Sequence, residues 1–181
     1  MLDMFLKGGP LMWPILLCSV LALSIGLKKG LQFHGVLKQL SCEIDTILAK
    51  RPACLVPVLE AVAAGRNEKE IGIIGTRQIR GMEKGLGFMS LIAVISPLLG
   101  LTGTVTGMIE AFQVIAASQV QVKPSMLAGG IWEALITTAA GLFVAIPTHV
   151  ACHFLEARLD EITLVVKETA AYAFSRRMHG D

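Results

Sequence analysis

Charge is what this sequence has least of. Only 17% of its 181 residues are Asp, Glu, Lys or Arg, where a soluble domain carries about a quarter. The shortage is concentrated: no charged side chain occurs from Gly8 to Leu27, from Gly85 to Ile109, or from Ala134 to Leu155. A helix rises 1.5 Å per residue, so ~20 uncharged residues reach across the roughly 30 Å of a hydrocarbon core. Three such runs exclude an ordinary soluble domain. They predict an all-α integral membrane protein with three transmembrane helices that extend into the cytoplasm.

Other absences narrow the function. The net charge of +2 is too small to recruit nucleic acid. Cys18, Cys42, Cys54 and Cys152 show no paired metal spacing and are read as reduced, structural thiols. His149 and His153 stand four apart, but no acid follows His149 as a zinc helix requires, so they are read as interfacial histidines. The chain has no phosphate loop, nucleophile elbow or dinucleotide fingerprint. The expectation is a protein that is not an enzyme and that needs no cofactor or metal.

Positive charge is unevenly shared among the connecting segments. Before the first apolar run there is only Lys7. Between the first and second lie Lys28, Lys29, Lys38, Lys50, Arg51, Arg66, Lys69, Arg77, Arg80 and Lys84. Between the second and third there is Lys123, and the tail carries Arg158, Lys167, Arg176 and Arg177. Lys and Arg accumulate on the cytoplasmic side. The alternation of poor, rich, poor and rich therefore predicts an external N-terminus (1–10) and spans at 11–27, 86–116 and 129–155. A cytoplasmic helical segment (28–85), a short periplasmic loop (117–128) and a cytoplasmic C-terminal helix (156–181) complete the layout. The first run is long for a signal peptide and lacks a small-residue cleavage site, so it is read as a retained anchor. Trp13 and Trp132 suit the outer interface.

In the cytoplasmic segment, Phe33, Leu37, Leu40, Ile44 and Ile47 form one helical stripe, interrupted by Pro52 and Pro57. A short helix is expected from Leu55 to Ala64, and another from Glu68 into the second span, with Gly72, Gly75, Gly81 and Gly85 weakening it. A C-terminal stripe runs through Leu159, Ile162, Val166, Ala170 and Ala173. These stripes pack either within one subunit or between subunits.

The polar content of the spans is organised by face. At about 100° per residue, Glu133, Thr137, Thr138, Gly141, Ala145 and Thr148 share one side of the third span, with Gly130 and Ala134. Trp132, Leu135, Ile136, Leu142, Phe143, Ile146 and Val150 take the other side. In the second span Ser96, Gly100, Gly103, Thr104, Gly107 and Ala111 share an arc, and Gly103 with Gly107 makes a GxxxG step that permits close helix approach. Gly100, Gly103, Gly107 and Gly141 are the expected packing positions. An intramembrane acid such as Glu133 usually faces a protein interior or a wet cavity, whereas Glu110, near the outer end of its span, suits the interface. Pro97 and Pro147 free backbone carbonyls that neighbouring groups or water must satisfy.

The stretch Ser96-Pro-Leu-Leu-Gly-Leu-Thr-Gly-Thr-Val-Thr-Gly-Met-Ile-Glu-Ala-Phe112 resembles the second-span signature of the MotA/TolQ/ExbB proton channel family. Gly130-Ile-Trp-Glu-Ala-Leu-Ile-Thr-Thr-Ala-Ala-Gly-Leu-Phe-Val-Ala-Ile-Pro147 resembles its third-span signature, and Gly8-Gly-Pro-Leu-Met-Trp-Pro14 is similar to short ExbB-type members. The resemblance implies a subunit of an inner-membrane proton-channel motor. In that family several copies, typically a pentamer, surround the single helices of an ExbD-like partner that carries the essential aspartate. Proton flow energises a TonB-like protein for outer-membrane import. By the same resemblance Thr104, Glu133 and Thr138 occupy the pore positions, and Thr137 adds a hydroxyl beside them. Thr102 stands where leucine is common. A TolQ-like role in the Tol–Pal envelope system stays open, as does a non-conducting membrane scaffold. A flagellar MotA would need a fourth span.

Overall fold

A computed structural model describes residues 8–41, 44–117 and 124–179. Lys7, Cys42 and Lys123 therefore lie outside the described residues. Among the described residues six helices follow in order: α1 Met12–Leu40, α2 Ile44–Lys50, α3 Val56–Ala63, α4 Glu68–Glu83, α5 Leu86–Ala117 and α6 Pro124–His179. No strand occurs among the described residues. Three stretches, within 12–40, 68–117 and 127–179, are long and apolar enough to cross a bilayer, which makes this the all-α membrane chain that the charge pattern predicts.

Two boundaries differ from the sequence reading. The helix expected to run from Glu68 into the second span is interrupted between α4 and α5. Gly85 there adopts φ 101°, a conformation open to glycine and strained for other residues. The third long helix begins at Pro124, inside the stretch expected to be loop. Proline in the first turn costs nothing, because its missing N–H would have had no partner there. Pro97 and Pro147 are accommodated within continuous helices.

The chain divides into two compact units. The first takes residues 1–26 and 88–152, the start of α1 with most of α5 and the first half of α6. Only a narrow stripe of α1 is buried there, Met12, Ile15 and Ala22, while Trp13, Leu16, Leu17, Val20 and Leu23 are exposed. On α5 and α6 the outward sets are also large and apolar. They include Leu91, Val94, Leu98, Leu101 and Val105, and Leu135, Leu142, Phe143, Ile146 and Val150. Such surfaces belong against lipid or another apolar partner.

The second unit takes residues 27–87 and 153–181. Its core holds Val58, Ala61, Val62 and Ile71, with Ile74, Ala170, Ala173 and Phe174 packed against them. The end of the C-terminal stripe, Ala170 and Ala173, thus packs within this chain on the core formed by α3 and α4. Local chemistry sets the helix ends. The Asn67 side chain accepts from the Glu70 N–H at 2.9 Å, capping α4, and Arg177 Nη1 donates to the Val62 carbonyl near the end of α3 at 2.8 Å. Lys29, which the sequence offers only as one of the positive charges after the first apolar run, is buried and donates to the Met82 carbonyl at 2.7 Å. A cation there meets the negative end of α4.

Candidate functional site

The site is built on the contact between α5 and α6. Each helix turns its smallest residues toward the other, and the register is antiparallel. A methyl group added at Gly107 would lie 2.7 Å from the Gly130 carbonyl, and one at Gly100 would lie 2.9 Å from the Thr138 Cα. At Gly141 the obstacle would be the Ser96 carbonyl, 2.5 Å away. At Gly103 it would be the Thr137 side chain, whose Cβ would be 2.6 Å away. Rising numbers on α5 meet falling numbers on α6. Backbones come this close only where both sides lack bulk. Ser96, Ala111 and Ala134 are buried in the same seam, and Ala145, one turn beyond Gly141, is buried too.

A hydrogen bond ties the two helices directly: Thr138 Oγ1 donates to the Gly100 carbonyl at 2.9 Å. The glycine at position 100 lets the hydroxyl reach that carbonyl. The remaining hydroxyls turn back on their own helices. Thr137 Oγ1 lies 2.9 Å from the carbonyls of both Glu133 and Ala134. Thr104 Oγ1 donates to Leu101 at 2.6 Å, and Thr102 Oγ1 to Leu98 at 2.8 Å. A hydroxyl so engaged still offers lone pairs to a water or a second donor.

Exposure divides the predicted residues. Thr137 is 1% exposed, closed in against Gly103. Glu133, Thr104 and Thr138 are half-buried. Thr102 is exposed, and so is Glu110. Glu133 lies beside the turn that precedes α1: its carboxylate occupies the space that a side chain on Gly9 would need. The structure thus joins Thr137 and Thr138 to the glycine face of α5, and Glu133 to the opening of α1. Thr104 stands one helical turn beyond Gly100, at the edge of the seam. No group of three or more metal-ligating side chains occurs among the described residues.

Residues 57–168 match the profile of the MotA/TolQ/ExbB proton channel family. This chain belongs to that family. The matched range contains the whole α5–α6 seam, so the family pattern and the geometry describe the same surface. Biopolymer transport protein exbB1 of Vibrio cholerae is 32% identical over 188 aligned positions, covering 91% of this chain and 82% of that protein. Tol-Pal system protein TolQ of Haemophilus influenzae is 38% identical over 103 positions, 57% of this chain and 44% of its own length. Biopolymer transport protein ExbB of Salmonella typhimurium is 35% identical over 106 positions, 59% of this chain and 41% of that relative.

Within this proton-channel frame, two features escaped the sequence reading. Ile136 falls on the apolar side of the helical wheel, yet it is 8% exposed and packs beside Gly8. Gly9 was noted only as part of an opening motif, yet it seats the Glu133 side chain. The available signal was Gly8-Gly9-Pro10 at the mouth of a span, where two glycines before a proline mark a tight turn.

Proposed function

We propose that this chain is the ExbB-type subunit of an inner-membrane proton-channel motor. It works with an ExbD-like single-span subunit that supplies an aspartate, and it uses the proton-motive force to energise a TonB-like protein for outer-membrane import. Several copies, by family analogy five, surround the partner's helices. The N-terminus lies in the periplasm and the C-terminus in the cytoplasm, as the distribution of Lys and Arg favours. Spans at 11–27, 86–116 and 129–155 place Glu133 toward the outer face.

The observation that carries this reading is the locked seam. The helix bearing Glu133 and Thr138 is fixed against the glycine face of α5 by the bond from Thr138 to Gly100. Half-buried Glu133, Thr104 and Thr138 are then free to line a wet path completed by the partner helices. Thr137 supports it from the protein side through the Glu133 carbonyl. Protons enter from the periplasm at Glu133 and pass by hydroxyls and water to the partner's carboxylate. Each charge that crosses releases roughly 2.3 kcal/mol per 100 mV, so movement of the assembly takes several protons or small steps.

Replacing Glu133 or Thr138 with alanine is expected to abolish TonB-dependent uptake in a complemented deletion strain, while the complex still co-purifies. Normal uptake by both variants would reject the assignment. A second reading, TolQ-like service in the Tol–Pal system, draws on the similarity to the Haemophilus influenzae protein. Detergent sensitivity on deletion, with intact growth on scarce iron, would favour it.

A further inference from the structure

The segment before α1 performs a task that the seam does not explain. Gly9 adopts φ 67°, which a residue with a side chain enters only under strain. Its open side is occupied as well, because a methyl group there would overlap Glu133 Oε1 and lie 2.9 Å from Glu133 Cδ. Conformation and space are independent requirements, and both call for glycine. Gly8 continues the contact, with Ile136 Cγ2 3.3 Å from where its methyl would stand. The turn therefore lies on the edge of α6 marked by residues 133 and 136. Pro10 stiffens it by fixing φ, and the Met12 N–H closes it on the Gly9 carbonyl at 3.2 Å. A carboxylate at this point also meets the positive end of α1.

We propose that Gly9 is a positioning residue for Glu133: the Gly8–Gly9–Pro10 turn is a seat that holds this carboxylate against bare backbone at the start of α1. The inference rests on the proposed role of Glu133 in proton passage and adds the device that orients it. Without the seat the side chain gains rotamers, and its carboxylate no longer stands at one fixed point on the path.

The test uses the complex purified with its partner and reconstituted in liposomes. In the wild type, solid-state NMR is expected to show a short-range correlation between the Glu133 carboxylate carbon and the Gly9 Cα. Gly9→Ala is expected to move the Glu133 carboxylate resonance and to lower proton flux several-fold with the complex still assembled. In a Glu133→Asp background, whose shorter side chain relieves the overlap but not the backbone strain at position 9, Gly9→Ala is expected to have a smaller effect than in the wild type. Absence of the wild-type correlation overturns the proposal, and that measurement holds even if Gly9→Ala fails to assemble. Full flux in Gly9→Ala overturns it too. If Glu133→Gln conducts normally, the proposed function itself falls. If Glu133→Gln is inactive while Gly9→Ala is fully active, only the seat is wrong.

Discussion

Three threonines on α6 carry similar chemistry and opposite energetics. Thr138 spends its hydroxyl on the Gly100 carbonyl, so Thr138→Val removes an interhelical bond worth about 0.6–2 kcal/mol in membrane proteins. Thr137 returns its hydroxyl to its own helix, a bond that costs the fold little and rigidifies the turn after Glu133. Thr169 is fully buried, and its hydroxyl has no partner among the described residues. A buried polar group left unsatisfied costs about 1–3 kcal/mol, so Thr169→Val is expected to be neutral or stabilising where Thr138→Val destabilises. Thermal unfolding in detergent gives the sign of each. Cys54 offers a chemical check. Burial, partly offset by backbone hydrogen bonds, pushes its thiol above the ordinary range, which leaves less thiolate at neutral pH. Its alkylation is expected to be slow in the folded protein and to accelerate on denaturation, and equal rates would contradict its burial.

At the scale of helices, the seam between α5 and α6 was legible in the sequence because its information is periodic. Ser96, Gly100, Gly103, Gly107 and Ala111 recur on one arc of a helix, and Gly130, Ala134, Gly141 and Ala145 on another. Periodicity identifies a face; it does not identify the neighbour. Ile136 lies on the apolar side of the wheel and is nonetheless buried, because the chain ahead of α1 packs on it. Gly85 weakened a continuous helix in the sequence reading, but its positive φ, which ends α4, is visible only in the folded backbone. The seam makes a paired prediction. Gly107→Val would drive a branched side chain into the Gly130 carbonyl and the Ala134 methyl, an overpacking that costs about 1–3 kcal/mol. Gly72→Ala in α4 meets nothing within 4 Å and is expected to be neutral or to stabilise by up to about 1 kcal/mol. Unfolding of the purified protein separates the two.

For the whole molecule, the apolar runs and the spread of Lys and Arg carry most of what a sequence can say about a membrane chain, since both reflect one-dimensional partition between lipid and water. What a single chain holds less visibly is the far side of its site. Glu133, Thr104 and Thr138 are half-buried, and long apolar faces of α1, α5 and α6 remain exposed; sister copies, lipid and a partner helix are proposed to cover them. Proton flux into liposomes is therefore the most direct test of the central claim, that a carboxylate and hydroxyls fixed along this seam form a wet path. With the co-purified partner present, the wild type is expected to conduct, and Glu133→Gln and Thr138→Ala to lose conduction while remaining assembled. Conduction by both variants at the wild-type rate would contradict the account.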